Sequence, residues 1–511
     1  MAKRSSTSTC CLTLPLRLER WQEDRLSKRF RVAGQIYNTL LGHELNRYRQ
    51  LCQTKAYRCV QSAIAEQYKA NAKGSKEYKA LCKQRTKMLN DAGFTEYGFK
   101  SDVKRYYKYF TDHVGSHVAA HCIASQVWTA FEKMLYGNGK QVRFKKKDDV
   151  DSIRGDSVAG RSGGSEIMFK GDHIEWKGLN LPLKLDPRND YEHQMLSYRV
   201  KYVRILRKPG KNRARWYAQL SLEGIPAVKV NRETGELRHP VGHGAVGLDI
   251  GPQTLAYSSH DEANLVELAD QVQNIEQQKR ILMRKLDRSR RATNPDNYNP
   301  DGTYKRGVKL THNKSKRYLK TQHELAYLYH RQTETRKRQH IALANHLLSL
   351  GDCFYVEDMD WPSLTHRAKK TEVSEKTGKF KRKKRFGKSV ANKAPATLIS
   401  ILSLKCASLG LPGVQKVPLK VRASQYNHLT DTYEKKSLSQ RWNVMPDGTR
   451  IQRDLYSAFL LQHMCPDLSD FDKEELASDY PRFVLLHHQA VEQLSHSKHT
   501  LSSMGLVRTV I

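Results

Sequence analysis

The stretch Ala245-Val-Gly-Leu-Asp-Ile-Gly251 constrains the fold more than any other. A short apolar run between glycines reads as a strand buried in a sheet, which other elements must cover. Yet it carries a carboxylate, Asp249, near its end. Two further acids stand in comparable settings. Glu357 directly follows Cys353-Phe-Tyr-Val356, a second short apolar strand, and Asp454 opens the apolar helix Leu455-Tyr-Ser-Ala-Phe-Leu-Leu461. Carboxylates delivered by separate elements to one end of a sheet can hold two hard divalent cations roughly 4 Å apart. Magnesium is the natural choice because it takes oxygen ligands and shares them with phosphates, with manganese as the alternative. The glycines at 247 and 251 read as room for a phosphodiester backbone to approach Asp249.

Each acid has an ordinary reading too. A strand followed by Asp-x-Gly can be a plain turn, or the ATP-phosphate element of sugar-kinase-type folds. Glu357 begins a Glu-Asp-Met-Asp cluster that fits a solvated loop. Asp454 can serve only as a favourable charge at a helix N-terminus. The host chain tilts the balance. Lys and Arg number 89 against 52 acids, a formal charge of +37. A cation of this size attracts polyanions and releases their counterions on contact, so nucleic acid is the expected partner. A basic ribosome-associated or membrane-surface protein is the alternative. No apolar stretch approaches the roughly 18 residues of a membrane span, so no membrane partner is expected. Residues 1–12 lack an apolar signal core. The nine cysteines are scattered and form no CxxC pair. That fits reduced thiols in a cytosol and argues against a cysteine-built zinc site.

The chain predicts several domains. Residues 12–20 alternate like a half-buried strand, and residues 21–136 read as helical, with Ile36, Leu40, Leu41 and Leu45 at helical spacing. Tyr106, Tyr107, Tyr109 and Phe110 stand among cations there, as a nucleic-acid face or as an ordinary amphipathic bundle. From 166 to 228 short alternating runs suggest an antiparallel barrel or sheet that the first strand closes, which makes the helical segment an insertion. Thr254 to Ser258 reads as a hairpin partner of the Asp249 strand, 266–292 as a charged helix, and 316–350 as a long basic helix. Residues 370–388 contain Lys379-Phe-Lys-Arg-Lys-Lys-Arg-Phe-Gly-Lys388, too charged for a core and read as a basic loop.

With those residues in view, the segments Val246-Gly-Leu-Asp-Ile-Gly251, Phe354-Tyr-Val-Glu-Asp-Met359 and Gln452-Arg-Asp-Leu-Tyr-Ser-Ala458 resemble the three RuvC motifs of the TnpB family. TnpB proteins are transposon-associated RNA-guided nucleases from which type V CRISPR effectors descend. Trp128-Thr-Ala-Phe-Glu-Lys-Met134, then Val142-Arg-Phe-Lys-Lys146, is similar to the family's stretch ahead of the later strands of its β domain, and the basic helices between the first two motifs match as well. The resemblance covers most of residues 12–465. In one place the chain departs from the pattern. The family usually sets four cysteines around a zinc between its second and third acids, whereas residues 424–429 and 441–448 contain none, and His428 alone cannot hold a zinc. Zinc is therefore not expected. The tail after Met464 matches nothing in the family, and the longer helical segment favours a CRISPR-type or intermediate effector.

The resemblance implies a multidomain α/β, β-barrel and helical chain. It comprises a β-barrel (wedge-like) domain at 1–20 and 137–243, a helical recognition domain at 21–136, an RNase H-like (RuvC) nuclease domain at 244–423 and 451–511, and a small target-nucleic-acid-binding insertion at 424–450. It implies a metal-dependent endonuclease that cuts DNA matched to a bound guide RNA after reading a short flanking motif. Asp249, Glu357 and Asp454 would be both catalytic residues and metal ligands. The partners would be guide RNA and target double-stranded DNA, in the cytoplasm of a prokaryote and on its nucleoid, for a monomer or a homodimer. Arg143, Lys145, Lys146, Lys147, Lys381, Arg382, Lys383 and Lys384 are the candidate phosphate contacts. The rivals are a guided DNA-binding protein that does not cut, a guide-independent structure-specific nuclease of the same fold, and a basic RNA-binding scaffold.

Overall fold

Burying the apolar strands gives three clusters among the described residues, one in the first compact unit and one on each face of the second unit's sheet. The computed structural model describes the chain except residues 1–6, 71, 73, 108–112, 138, 140, 147–148, 157–165, 369, 376–377, 379, 381–385, 438, 497–500 and 506–511. It is a mixed α/β chain of two compact units, Met1–Ala227 and Val228–Ile511. Among the described residues no helix is long and apolar enough to cross a membrane. All nine cysteines are free thiols.

In the first unit, strand Thr9–Pro15 pairs antiparallel with strand Arg215–Glu223, so the intervening helices leave the sheet and the chain returns to it. Four strands form one antiparallel sheet and three short ones form another. Hydrogen bonds from Arg17 N–H to the Pro182 carbonyl and from Lys184 N–H to the Pro15 carbonyl join the two. The helices are not a separate core. Phe30, on the long helix Arg20–Gln53, meets Trp216 of the sheet edge-on at 5.0 Å, and helix and strand residues share one apolar cluster.

The second unit is built on a five-stranded sheet of strands Ala245–Ile250, Thr254–Ser258, Ala263–Glu267, Cys353–Glu357 and Gly413–Val417. Numbered along the chain, their order in the sheet is 3-2-1-4-5. The first three pair antiparallel, and the fourth runs parallel to both the first and the fifth. The expected helix from residue 266 begins later, at Glu276, because Ala263 and Leu265 turn inward at strand spacing and pair with the hairpin. One sheet face buries Val246, Leu248, Phe354 and Val356 under helices Lys316–Leu350 and Pro395–Leu409. The other is covered by helix Arg453–Gln462, buried on nearly every side, with helix Lys473–Ser495 behind it. A strand covered on both faces reads as a nearly continuous apolar run, and at 245–250 Asp249 is the one exception.

Candidate active site

Side chains alternate along a strand, so Gly247 and Asp249 share the face opposite Val246 and Leu248. The parallel register pairs Tyr355 with Gly247 and Val356 with Leu248, and one further step sets Glu357 beside Asp249 at the ends of adjacent strands. Helix Arg453–Gln462 lies against this face at very close range. A Cβ added at Gly247 would stand 1.9 Å from the Ala458 carbonyl and 2.4 Å from the Gln462 nitrogen. The glycine is therefore a seat for the helix, not an approach for a phosphodiester. This corrects the reading from sequence. From that seat, two residues along the strand cover about 6.6 Å and four residues back along the helix about 6 Å. Both steps lead toward the same end of the sheet, and they bring Asp249 and Asp454 to it.

The electrostatics register this convergence. Asp249 is held well above the ordinary carboxylate range, first by burial and then by the negative charges of Asp454 and Glu357. Arg453 and the Ser457 hydroxyl act in the opposite sense. Ser457, one turn beyond Asp454, is 2 % exposed, and its hydroxyl completes no hydrogen bond of good geometry. Burial also raises the Glu357 carboxyl. The rest of the Glu-Asp-Met-Asp cluster is ordinary surface: Asp358 pairs with Lys416 at 2.8 Å, and Asp360 caps the short helix Trp361–Thr365. Of the acids in that cluster, Glu357 alone is half-buried, at the end of a core strand.

Asp454 is held by neighbours that the sequence reading missed. The Oδ1 atom of Asp454 accepts from Arg453 Nε at 3.2 Å and Nη2 at 3.0 Å. Its Oδ2 has only longer contacts, Gln452 Nε2 at 3.5 Å and Arg441 Nη1 at 3.6 Å. Gln452 caps the helix by accepting from Leu455 N–H at 2.8 Å, and its own N–H donates to Nε2 of buried His487 at 2.9 Å. Arginine beside aspartate at 453–454 was the one available signal. Gln452 and His487 carry no pattern a sequence reader could have used.

The residues between the second and third acids pack through side chains. Two small hairpins, Tyr426–Asn427 with Thr432–Tyr433 and Trp442–Val444 with Arg450–Gln452, rest on Tyr426, Met445 and Ile451. Tyr426 stacks on Phe471 at 4.9 Å. His428 bonds the Tyr456 hydroxyl at 2.6 Å, and burial lowers its imidazole to about 4.

Of the candidate phosphate contacts, Arg143, Lys145 and Lys146 are exposed. Their segment is tied to the long first helix by reciprocal bonds between Asn38 and the Lys145 backbone at 2.7 and 2.8 Å. Lys147, Lys381, Arg382, Lys383 and Lys384 lie outside the described residues, as do Tyr109 and Phe110. Among the described residues a different trio brings its ligating atoms within 4.8 Å of one another: His43, Glu44 and Asp102 in the first unit. Arg47 already bonds both acids there, at 2.9 and 2.5 Å. Asp249, Glu357 and Asp454 are not gathered to that mutual spacing. They instead leave Asp249 under repulsion from both partners, a shortage of positive charge that cations between them would relieve. The donor set, three carboxylates, suits hard oxygen-seeking ions.

No protein-family model matches the chain, and no curated protein sequence matches it. Among solved structures it is similar to a Cas12f1–sgRNA–target DNA complex, at 11 % identity and a TM-score of 0.40, over 90 % of this chain and 99 % of that one. It is also similar to a CRISPR–Cas12f ternary complex, at 12 % identity and a TM-score of 0.26, over 88 % and 82 % of the two chains. A Cas12i–crRNA–dsDNA complex gives 9 % identity and a TM-score of 0.21, over 80 % and 56 %. At these scores the likenesses carry no structural argument.

Proposed function

We propose that this chain is an RNA-guided DNA endonuclease with one RuvC-like site, in which Asp249, Glu357 and Asp454 hold divalent metal. The observation that carries the reading is the meeting of Asp249 with the other two acids at one end of a five-stranded sheet. The 3-2-1-4-5 order, with its antiparallel first three strands, supports an RNase H-like fold. Two magnesium ions, when bound, supply an activated water and stabilise the leaving oxygen. The chain's own contributions are distinct. Asp249 presents the central carboxylate, Glu357 flanks it from the next strand, and Asp454 comes from the covering helix. The seat at Gly247 fixes how far apart the strand and the helix stand. Arg453 offsets part of the repulsion.

The formal charge of +37 supports an RNA–DNA partner held through its backbone, sequence being read by pairing with the guide. In this reading the barrel (1–20 and 137–243) and helical (21–136) domains grip guide RNA and duplex. Residues 424–450 then form the target-nucleic-acid-binding insertion of the nuclease part. The test is to sequence RNA that copurifies with the protein, then challenge the complex with matched double-stranded DNA and magnesium. Cleavage is expected, and Asp249→Ala should lower it by at least about a thousandfold. Guided binding without cleavage would replace the reading with a non-cutting targeting protein. Cleavage of branched DNA without any RNA would replace it with a structure-specific nuclease.

A further inference from the structure

The guanidinium of Arg453 has two sets of partners. Its Nε and Nη2 hold Asp454 Oδ1, while Nη1 donates to the carbonyls of Gln440 at 3.1 Å and Ser437 at 3.4 Å. The backbone N–H of Arg453 also bonds the Arg441 carbonyl at 2.9 Å. The side chain is only 13 % exposed, and its positive charge eases the negative surroundings of Asp249. A planar fork cannot turn toward one partner without turning from the other. The carbonyls of Ser437 and Gln440 therefore help to hold the fork that grips Asp454. Oδ1 is thus held by the fork, while Oδ2 has the longer contacts, with Gln452 Nε2 at 3.5 Å and Arg441 Nη1 at 3.6 Å.

We propose that Arg453 is a positioning residue that makes divalent binding by Asp454 depend on the loop around Ser437 and Gln440. This rests on the metal-binding reading above. Partners of metal ligands typically set affinity by about ten- to a hundredfold, because they hold the ligand's orientation. A loop that shifts draws Nη1 away, turns the fork and releases Oδ1. Occupancy of the small hairpin region is thereby transmitted to the acids without any contact between its occupant and the metal.

The experiment is a double-mutant cycle on the full chain, with Mn2+ as probe and its dissociation constant measured by calorimetry. Arg453→Gln should weaken Mn2+ binding by about tenfold. Replacing residues 437–440 with Gly-Ser-Gly-Ser, which keeps the carbonyls but loosens the backbone that presents them, should weaken it by a similar factor. The combined variant should be no weaker than either, because both remove the same linkage. Arg453→Lys, which keeps the charge but loses the fork, should behave like Arg453→Gln. Thermal melting of the metal-free variants separates misfolding from lost positioning. Additive losses, or unchanged Mn2+ affinity in a folded Arg453→Gln protein, overturn the proposal and leave the metal site standing. A wild-type chain that binds no Mn2+, or binds it equally well as Asp249→Ala, overturns the metal-binding reading itself.

Discussion

Among the described residues two trios of potential metal ligands stand out, and the tighter one is the poorer candidate. His43, Glu44 and Asp102 bring their ligating atoms within 4.8 Å of one another, yet Arg47 bonds both acids and supplies the positive charge from within. Asp249, Glu357 and Asp454 are looser, and their arginine fork grips one oxygen of one acid and leaves Asp249 under repulsion. Proximity of ligands is thus a weaker guide than unmet charge. The first trio is closed by its own cation; the second has a deficit to fill.

The largest effect that separates them concerns the arginines. Glu44 is fully buried, so Arg47→Met should cost about 3–5 kcal/mol in chemical denaturation by stranding that charge. Arg453→Gln should cost less, about 2 kcal/mol, since Arg441 stays on Asp454 and that carboxylate is not fully buried. Equal costs would erase the distinction.

Next comes acid sensitivity behind the second trio. His428 and His487 are each lowered to about 4, mainly by burial, against about 6.5 in an unfolded chain. Between those values the unfolded state binds more protons. The stability from neutral imidazoles is therefore intact above about pH 6.5 and lost as pH falls toward 4, on the order of 3 kcal/mol for each. Denaturant midpoints at pH 7, 5.5 and 4.5 should fall accordingly, and His487→Gln should flatten the slope; a variant as pH-dependent as the wild type would refute it.

A smaller effect tests the deficit directly. A carboxyl whose folded pKa is raised opposes folding once ionised, above its unfolded value, so at pH 7 Asp249→Asn should raise the metal-free melting temperature by a few degrees. A drop would mean that no repulsion is stored there. The smallest expected effect is none at all. Asp102→Asn should leave Mn2+ affinity and stoichiometry unchanged, and a lost equivalent of metal would reinstate the first trio.

Much of the second unit was legible because buried strands and helices leave periodic apolar traces. The 245–250 and 353–357 strands and the 316–350 helix show through their patterns. The strand at 263–267 did not, because its edge position leaves it only two buried residues, Ala263 and Leu265. At the candidate site, their settings drew attention to the three acids, but nothing drew it to the holders of Asp454. Gln452 acts through a cap and His487 through one backbone bond, and neither leaves a spacing signature. Gly247 was legible as special and misread in its purpose: the absent side chain accommodates Ala458.

The covering helix comes late in the chain, and that sets an order of events during synthesis. A nascent chain displays the Asp249 and Glu357 strands while the residues around Asp454 are still inside the ribosome. Such long-range docking is slow relative to local folding. Until the helix settles on its glycine, a half-made protein carries two of the three acids on its sheet and lacks the third.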